Sequence, residues 1–163
     1  MKKLFLLVAL FTTSLVYCQT QVTTVILLRH AEKGVESDDP DLNPAGKKRA
    51  ESLVELLKKT KIDAIYSTPY KRTRNTILPM AEARGLAVGD FNPSKMSEID
   101  LLLAKHKGGT IVLCGHSNTT PATLNYLTGN KDEYPAFKDS EYGNLIVVSL
   151  IERGNAKVVW LGN

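Results

Sequence analysis

One short apolar run constrains the fold of this chain more than any other feature of its sequence. Residues 24–28 have the sequence Thr-Val-Ile-Leu-Leu, and the run ends at Arg29 and His30. An uninterrupted run of this kind is typical of a strand that is buried on both faces, as in a parallel sheet covered by helices. In such sheets the carboxyl ends of the strands border the crevice that binds ligands. The sequence therefore predicts that Arg29 and His30 lie together at a ligand-binding edge.

Two further segments repeat this plan. Residues 110–114 form a second apolar run, which is followed by Gly115 and His116. Residues 62–66 form another short predicted strand, after which a predicted helix places Arg72 in its first turns, near the positive end of the helix dipole. Arginine suits phosphate because its planar guanidinium makes paired, charge-assisted hydrogen bonds, and histidine can act as nucleophile, acid or base. We therefore expect two arginines and two histidines to line one crevice.

Three short motifs occur in a fixed order along the chain. They are Arg29-His30-Ala31, the segment 66–76 with Ser67, Arg72, Thr73 and Thr76, and Gly115-His116-Ser117. Together they resemble the signatures of the histidine phosphatase superfamily, also called phosphoglycerate mutase-like, and the resemblance covers nearly all of the chain after residue 23. The segment 41–46 is similar to the family's first helix start, with Asn43 where the family has threonine. Asn43 is an equally good N-cap, and Pro44 suits the first helical position.

The resemblance implies a role for each residue of the crevice. His30 would be the nucleophile that takes the phosphoryl group, and Arg29, Arg72 and His116 would bind the phosphoryl oxygens. Phosphoryl transfer depends mostly on positioning and charge stabilisation, which two guanidiniums and a second imidazole provide without a metal or other cofactor. One neutral nitrogen of His30 would attack in line, and the other would need an acceptor such as a backbone carbonyl. Water would then hydrolyse the phosphohistidine.

The acid that protonates the leaving group has no clear match in the sequence. One branch of the family places a carboxylate directly after the second histidine, but Ser117 stands there. Glu82 and Glu98 fall in the region where another branch places a glutamate, although neither sits in a matching motif. Glu32, two residues after His30, is the predicted candidate acid. The alternative is that Glu32 is a solvated loop carboxylate or a partner of Lys33.

The remaining pattern alternates strands and helices. We predict helices over 44–59, 70–84, 95–106 and 119–128, a strand over 86–88, and a closing hairpin of 145–151 and 156–160. Pro79 is expected to kink or shorten the second helix, and His106 to act as a favourable cation at the end of the third. This order predicts an α/β three-layer sandwich with a mostly parallel central sheet flanked by helices. The polar segment 130–141 is predicted as a surface connection, with an overhang above the pocket as the alternative.

The first 18 residues have the features of a secretory signal peptide. A basic start at Lys2 and Lys3 precedes an apolar stretch, and cleavage is predicted between Cys18 and Gln19, with export to the periplasm or the medium. The apolar stretch is short for a membrane anchor of about 20 residues. A lipoprotein anchored through Cys18 is disfavoured because Tyr17 is bulky where such signals have a small residue. Residues 19–163 are then one domain, with no stable membrane association unless Cys18 is lipidated.

Charge and cysteine content narrow the classes of partner. Without Lys2 and Lys3 the chain has 19 basic and 17 acidic residues, so a nucleic-acid partner is not expected. Four rim carboxylates, at Glu36, Asp38, Asp39 and Asp41, disfavour highly anionic substrates. Cys114 is the only cysteine after residue 18, so no disulfide within the mature chain is possible, and Cys114 with His116 makes a poor zinc site.

The leading hypothesis is an exported phosphatase that hydrolyses small phosphomonoesters through a phosphohistidine on His30. A phosphohistidine-protein phosphatase is an alternative, since imidazole leaves without a strong acid. A mutase is a weaker one, because it needs a phosphate donor and a closed site. The third alternative, from a different class, is a module that binds phosphate or another anion without catalysis.

Overall fold

The apolar run that opens the sequence pattern forms the central strand of the fold. In the computed structural model, which describes residues 21–35, 37–131 and 133–162, this strand is β1, Thr23–Arg29. The elements that follow are α1 Pro44–Leu57, β2 Ala64–Ser67, α2 Lys71–Glu82, β3 Val88–Asp90, α3 Met96–Lys105, β4 Thr110–Gly115, α4 Thr119–Thr128, β5 Leu145–Glu152 and β6 Asn155–Leu161. The predicted signal peptide lies outside the described residues.

The ten elements form one sheet with helices on both faces. The strand order is β3-β2-β4-β1-β5-β6; the first four strands run parallel, and β5 and β6 close the sheet as an antiparallel hairpin. Side chains alternate along β1: Val25 and Leu27 pack with α3 and α4, whereas Ile26 and Leu28 pack with α1 and α2. The predicted three-layer α/β sandwich with a mostly parallel sheet is confirmed.

The element boundaries differ from the predicted ones at a few places. The third strand is Val88–Asp90 rather than 86–88, because Ile65 pairs with Val88 and Ser67 with Asp90 in the parallel ladder. Leu86, which was expected in the strand, packs against the apolar core instead. Pro79 lies inside α2, and the helix continues beyond it to Glu82. Among the described residues, no helix is long and apolar enough to cross a membrane.

The start of α1 is fixed against the loop that follows β1. The side-chain Oδ1 of Asn43 accepts a hydrogen bond from the backbone N–H of Gly46 at 2.9 Å, which is the expected N-cap. Gly46 itself is buried, and a Cβ at this position would lie 2.1 Å from the carbonyl oxygen of Glu32. Because that neighbour is backbone, it cannot move aside as a flexible side chain does. Gly46 therefore lets α1 pack directly on the segment after His30.

Replacing Gly46 with alanine tests this packing. We expect Gly46→Ala to lower the free energy of unfolding by about 2 kcal/mol, because overpacking a tight contact forces the backbone apart. Lys48→Ala, on the exposed face of the same helix, should change it by less than about 0.5 kcal/mol. Urea unfolding of the two variants measures both values. Equal stability of the two would show that the loop and helix are not held in this contact.

Candidate active site

Four predicted residues meet at the carboxyl edge of the sheet. Arg29 ends β1 and pairs in register with Gly115, so His30 and His116 follow from adjacent strands. Their imidazole rings are edge to face, with centroids 5.4 Å apart. Arg72 reaches the same place from the first turn of α2, where its Nη2 lies 3.4 Å from Nδ1 of His116. The sheet register thus assembles two histidines and two arginines from three separate segments.

His30 is held in a single tautomer. Its Nδ1 lies 2.8 Å from the carbonyl oxygen of Ala31, which only accepts hydrogen bonds, so Nδ1 carries the proton and Nε2 keeps a lone pair. The backbone N–H of Ala31 in turn donates to Oγ1 of Thr76 at 2.8 Å, which fixes the peptide. Burial lowers the pKa of His30 to about 4, against the raising effect of the Ala31 carbonyl and with help from Arg29. The imidazole is therefore neutral near pH 7.

The guanidinium of Arg29 is buried and held by backbone carbonyls. Its Nη1 donates to the carbonyl oxygens of Lys138 at 2.8 Å and Glu141 at 3.1 Å, and its Cζ lies 4.1 Å from the centroid of the Tyr142 ring. The segment 130–141 is therefore not a simple surface connection, because its last residues contact the site. The same segment also contacts the loop after β4, since the backbone N–H of Phe137 donates to the carbonyl oxygen of Ser117 at 2.9 Å.

Arg72 is held from the opposite side of the crevice. Its Nη1 lies 3.4 Å from Oδ1 of Asp39, and its Cζ lies 4.6 Å from the centroid of the Tyr70 ring. The same Asp39 carboxylate accepts hydrogen bonds from the backbone N–H of Lys71 at the start of α2. One residue of the predicted acidic rim thus positions a cation of the site.

Each arginine of the site retains a buried donor without a partner. Among the described residues, the buried side-chain nitrogen and oxygen atoms without a hydrogen bond are Nε of Arg29 and Nε of Arg72. A buried donor left unpaired costs about 1–3 kcal/mol, so each of these donors needs a reason. An oxyanion such as phosphate is the partner for which guanidinium geometry is suited. The donor set fits a phosphate group.

His116 shares this positive environment. Burial, followed by the charges of Arg72 and Arg29, lowers its pKa to about 4, and the charge of Asp39 opposes the shift. Its Nε2 lies 2.9 Å from Oγ1 of Thr68. His116 is therefore neutral near pH 7, and one of its two nitrogens is already engaged by the protein.

Glu32 does not face the site as a free acid. Both of its carboxylate oxygens accept hydrogen bonds from the guanidinium of Arg49, at distances between 2.6 and 3.2 Å. Hydrogen bonding to Arg49 lowers the pKa of Glu32, so the carboxyl group is ionised near neutral pH and has no proton to give. This pairing argues against the predicted role as general acid, and the ion-pair partner is Arg49 rather than Lys33.

The third histidine lies apart from the crevice. Nε2 of His106 is 2.8 Å from the hydroxyl of Tyr66, and burial together with the charge of Lys105 lowers its pKa. The lowered pKa disfavours the charged ring that was predicted at the end of α3.

A pocket of about 560 Å³ opens beside Arg72 and His116. It lies where the part of a substrate beyond its phosphate group would fit, and its volume is in the range of small-molecule sites. Its other lining residues are Thr68, Pro69, Tyr70, Asp90, Phe91, Asn92, Pro93, Ser94, Glu98, Asn118 and Thr119. The carboxylate of Glu98 accepts a hydrogen bond from the backbone N–H of Asn92 at 2.8 Å.

Several residues of the site carry no sequence signal that identifies them. Thr68 and Tyr70 lie inside the second motif, yet their contacts with His116 and Arg72 depend on how α2 approaches β4. The carbonyls that hold Arg29 belong to Lys138 and Glu141, and a backbone atom leaves no trace in residue type. Asp39 was visible only as one of several rim carboxylates.

Comparison with known proteins identifies a matching family model and a relative. A family model for the histidine phosphatase superfamily (branch 1) matches residues 25–92, which include Arg29, His30 and Arg72. Phosphoserine phosphatase 1 of Hydrogenobacter thermophilus is 41% identical over 83 residues, which make up 47% of this chain and 38% of that protein. The resemblance to the histidine phosphatase superfamily is confirmed. The match spans well under two thirds of that relative's length, so it does not by itself transfer an activity.

Solved structures of several phosphatases show the same fold. The protein histidine phosphatase SixA, complexed with tungstate, matches with a TM-score of 0.71 and 16% identity over 86% of this chain and 96% of that one. A phosphoserine phosphatase variant of Entamoeba histolytica, in complex with phosphoserine, matches with a TM-score of 0.68 and 16% identity over 85% of this chain and 96% of that one. A mycobacterial glucosyl-3-phosphoglycerate phosphatase matches with a TM-score of 0.69 and 14% identity over 86% of this chain and 98% of that one.

The described part of the chain offers no evident metal centre. Among those residues, no group of three or more histidine, cysteine, aspartate or glutamate side chains is placed to hold a metal ion. Cys114 is free and buried, and burial raises the pKa of its thiol far above the usual range. It packs in the core beneath the site.

The two lowered histidine pKa values predict how stability depends on pH. Between pH 6.5 and about 4 the unfolded chain protonates His30 and His116 while the folded chain keeps them neutral. The unfolded state then binds more protons, so the free energy of unfolding falls as the pH is lowered through this window. Urea unfolding at pH 7 and pH 5 should show the loss, and a smaller loss for His30→Asn. An identical loss in both proteins would contradict the shift at His30.

Replacing Arg72 with lysine tests the unpaired donor. Lysine keeps one positive charge but has no Nε–H and no planar fork, so we expect Arg72→Lys to weaken binding of inorganic phosphate at least tenfold. Isothermal titration calorimetry measures the affinity. Arg84→Lys is the matched control, because Arg84 donates to the carbonyl of Leu57 at the other end of α2. Unchanged affinity in Arg72→Lys would exclude this guanidinium from the phosphate contact.

Proposed function

We propose that this protein is a phosphatase that hydrolyses phosphomonoesters through a phosphohistidine intermediate on His30. The observation that carries the proposal is the hydrogen bond from Nδ1 of His30 to the carbonyl of Ala31. It leaves the Nε2 lone pair of a neutral imidazole beside two guanidiniums, each with a buried, unpaired Nε–H. A nucleophile without charge and two fixed cations are what an anionic phosphate group requires of a site.

The reaction would proceed in two displacements. Nε2 of His30 forms a bond to phosphorus as the ester P–O bond breaks, and the leaving oxygen takes a proton from solvent to become an alcohol. Water then attacks the phosphohistidine and gives up a proton to solvent, the N–P bond breaks, and inorganic phosphate is released. Arg29 and Arg72 stabilise charge on the three equatorial oxygens in both steps, which is the main demand of phosphoryl transfer. The pocket beside Arg72 would hold the alcohol part of the substrate.

The relatives support a phosphatase without naming this protein's substrate. One is named phosphoserine phosphatase 1, and the structures with the same fold include phosphatases of phosphoserine, of protein histidine and of a phosphoglycerate derivative. Their leaving groups differ widely. Small phosphorylated molecules are the class we propose here, since the adjoining pocket has the size of a small-molecule site.

A phosphohistidine-protein phosphatase is the second candidate function. The observation that favours it is that neither position predicted for a general acid provides a protonated carboxyl group. Glu32 is ion-paired with Arg49, and Ser117 stands after His116 where a carboxylate acid would otherwise follow. Imidazole leaves without a strong acid, whereas an alkyl alcohol does not. Faster turnover of a phosphohistidine peptide than of any alkyl phosphate would favour this candidate.

Hydrolysis of an aryl phosphate by the chain from residue 19, in excess chelator, tests the leading proposal. An aryl oxide is a good leaving group, so the assay does not depend on the acid. We expect activity that survives chelation and falls at least 10³-fold in His30→Ala, since the nucleophile is lost. Trapping of the phosphohistidine by acid quench, with loss of the label in the variant, identifies the intermediate.

His106→Ala is the matched control for that experiment. It also removes one imidazole, but His106 contacts Tyr66 away from the crevice, so its activity should equal that of the parent chain. Equal activity of parent and His30→Ala would exclude His30 as the nucleophile. Phosphate binding without turnover of any phosphomonoester would favour a non-catalytic anion-binding module.

We further propose that the protein is exported. The support is the amino-terminal sequence: lysines at positions 2 and 3, an apolar stretch from Leu4 to Phe11 and a predicted cleavage point before Gln19. Expression of the full chain with subsequent fractionation and mass spectrometry of the amino terminus tests this. We expect a mature protein that begins at Gln19 outside the cytoplasm. An intact Met1 in the cytoplasmic fraction would contradict export, and a lipid on Cys18 would indicate an anchored form.

A further inference from the structure

A chain of hydrogen bonds leads from His116 into the first turn of α2. Nε2 of His116 lies 2.9 Å from Oγ1 of Thr68, which lies 3.0 Å from Oγ1 of Thr73. The Thr73 hydroxyl donates to the backbone carbonyls of Thr68 and Tyr70, at 2.8 and 2.9 Å. Thr68 and Thr73 are both buried, with exposed fractions of 1% and 0%. Solvent therefore does not compete for these hydroxyl groups.

The direction of every bond in this chain is fixed by its last acceptor. A carbonyl oxygen has no proton, so the hydroxyl of Thr73 must donate to it, and its oxygen then accepts from Thr68. The single proton of the Thr68 hydroxyl is thereby used. Toward His116 the Thr68 oxygen can only accept, so Nε2 of His116 must carry a proton. In the neutral ring this leaves the lone pair on Nδ1.

The remaining nitrogen faces the arginine of the site. Nδ1 of His116 lies 3.4 Å from Nη2 of Arg72, a donor, which agrees with a lone pair at Nδ1. Because Thr68 occupies Nε2, any hydrogen bond between His116 and a bound phosphate has to pass through Nδ1. Phosphoryl oxygens that carry no proton are acceptors, so the lone pair at Nδ1 would repel them. A hydrogen bond from His116 to such an oxygen requires a second proton on the ring.

We propose that Thr68 is a positioning residue that fixes the proton of His116 on Nε2, and that His116 takes up a second proton from solvent, on Nδ1, when phosphate binds. The phosphate part rests on the proposed function, whereas the tautomer does not. The resulting imidazolium donates Nε2–H to Thr68 and Nδ1–H to a phosphoryl oxygen. Thr68 thus supports the charged ring as well as the neutral one.

The charges around His116 set when this uptake occurs. Arg29, from β1, and Arg72, from α2, disfavour the second proton, and so does the ring of His30 when charged. Asp39, from the loop after β1, favours it, and the uncharged Tyr70 ring stands edge to face with the imidazole, its centroid 5.0 Å away. Without a ligand, burial and the arginine charges together outweigh Asp39, and the ring is neutral. The negative charge of a bound phosphate group reverses that balance.

Nitrogen-15 NMR of histidine-labelled protein tests the tautomer directly. Without phosphate at pH 7, we expect His116 to show a protonated Nε2 and an unprotonated Nδ1. Saturation with inorganic phosphate should move Nδ1 to the protonated position and leave Nε2 where it was. A proton on Nδ1 before phosphate is added would overturn the tautomer assignment. An unprotonated Nδ1 in the phosphate complex would overturn the proton uptake while leaving the tautomer intact.

Thr68→Val and Thr68→Ser separate the hydroxyl from the packing. Valine has the shape of threonine without the acceptor, so Thr68→Val should give a mixture of His116 tautomers and weaken phosphate binding about tenfold. Thr68→Ser keeps the hydroxyl and should restore the parent spectrum and affinity. If Thr68→Val gave the parent spectrum, the positioning role would be wrong. If the valine variant does not fold, the tautomer of His116 measured by NMR in the parent protein and in Thr68→Ser still tests the proposal.

The measurement also distinguishes this proposal from the proposed function. The spectrum of the phosphate-free protein requires no turnover, so a chain that hydrolyses nothing could still show His116 fixed by Thr68. Conversely, hydrolysis through His30 with His116 in the other tautomer would sustain the phosphatase and overturn the positioning role. The pH dependence of phosphate affinity is a further readout. Affinity should fall as the pH rises through the pKa of His116 in the complex, with a weaker dependence in Thr68→Val.

Discussion

The site depends on placing two guanidiniums beside two imidazoles at the buried end of a parallel sheet. Desolvation and the arginine charges keep both rings neutral, so the positive charge of the site belongs to Arg29 and Arg72 alone near pH 7. A charged imidazole at His30 would have no lone pair with which to attack. The same cations that would attract an anion therefore help to keep the proposed nucleophile unprotonated, so one electrostatic arrangement meets two demands of the proposed chemistry.

The first turns of α2 organise most of this arrangement. Arg72 supplies a cation, the hydroxyl of Thr73 anchors the chain that ends at His116, and Thr76 holds the peptide that fixes His30. Oγ1 of Thr76 also donates to the carbonyl of Arg72, which ties this residue back into its own helix. Both rings thus take their orientation from one helix, although they follow two different strands. Helix α2 packs against α1, whose start is held by the close contact at Gly46.

The sequence predicts the fold and the four residues that meet in the crevice, but it does not predict the contacts between them. Uninterrupted apolar runs predict buried strands, and the Arg-His and Gly-His pairs that follow them are thereby placed at the carboxyl ends of those strands. The strand at Val88–Asp90 was shifted by two residues, because its register is set by pairing with β2 rather than by its own apolar pattern. Glu32 is a candidate acid by its closeness to His30 along the chain, but in the fold it forms an ion pair with Arg49 of α1. Thr68 acts through the direction of hydrogen bonds, which no residue pattern records.

The hold on Arg29 has a consequence for how the segment 130–141 tolerates change. The acceptors at Lys138 and Glu141 are main-chain oxygens, and they remain whatever side chains the segment carries. The residue types at these two positions are therefore free to vary, whereas the length and path of the segment are not, since one residue fewer would draw the carbonyls away from the guanidinium. Substitution at these two positions can thus change the charge of the surface near Arg29 without removing the acceptors of its guanidinium. The side chains and the main chain of one segment answer to different constraints.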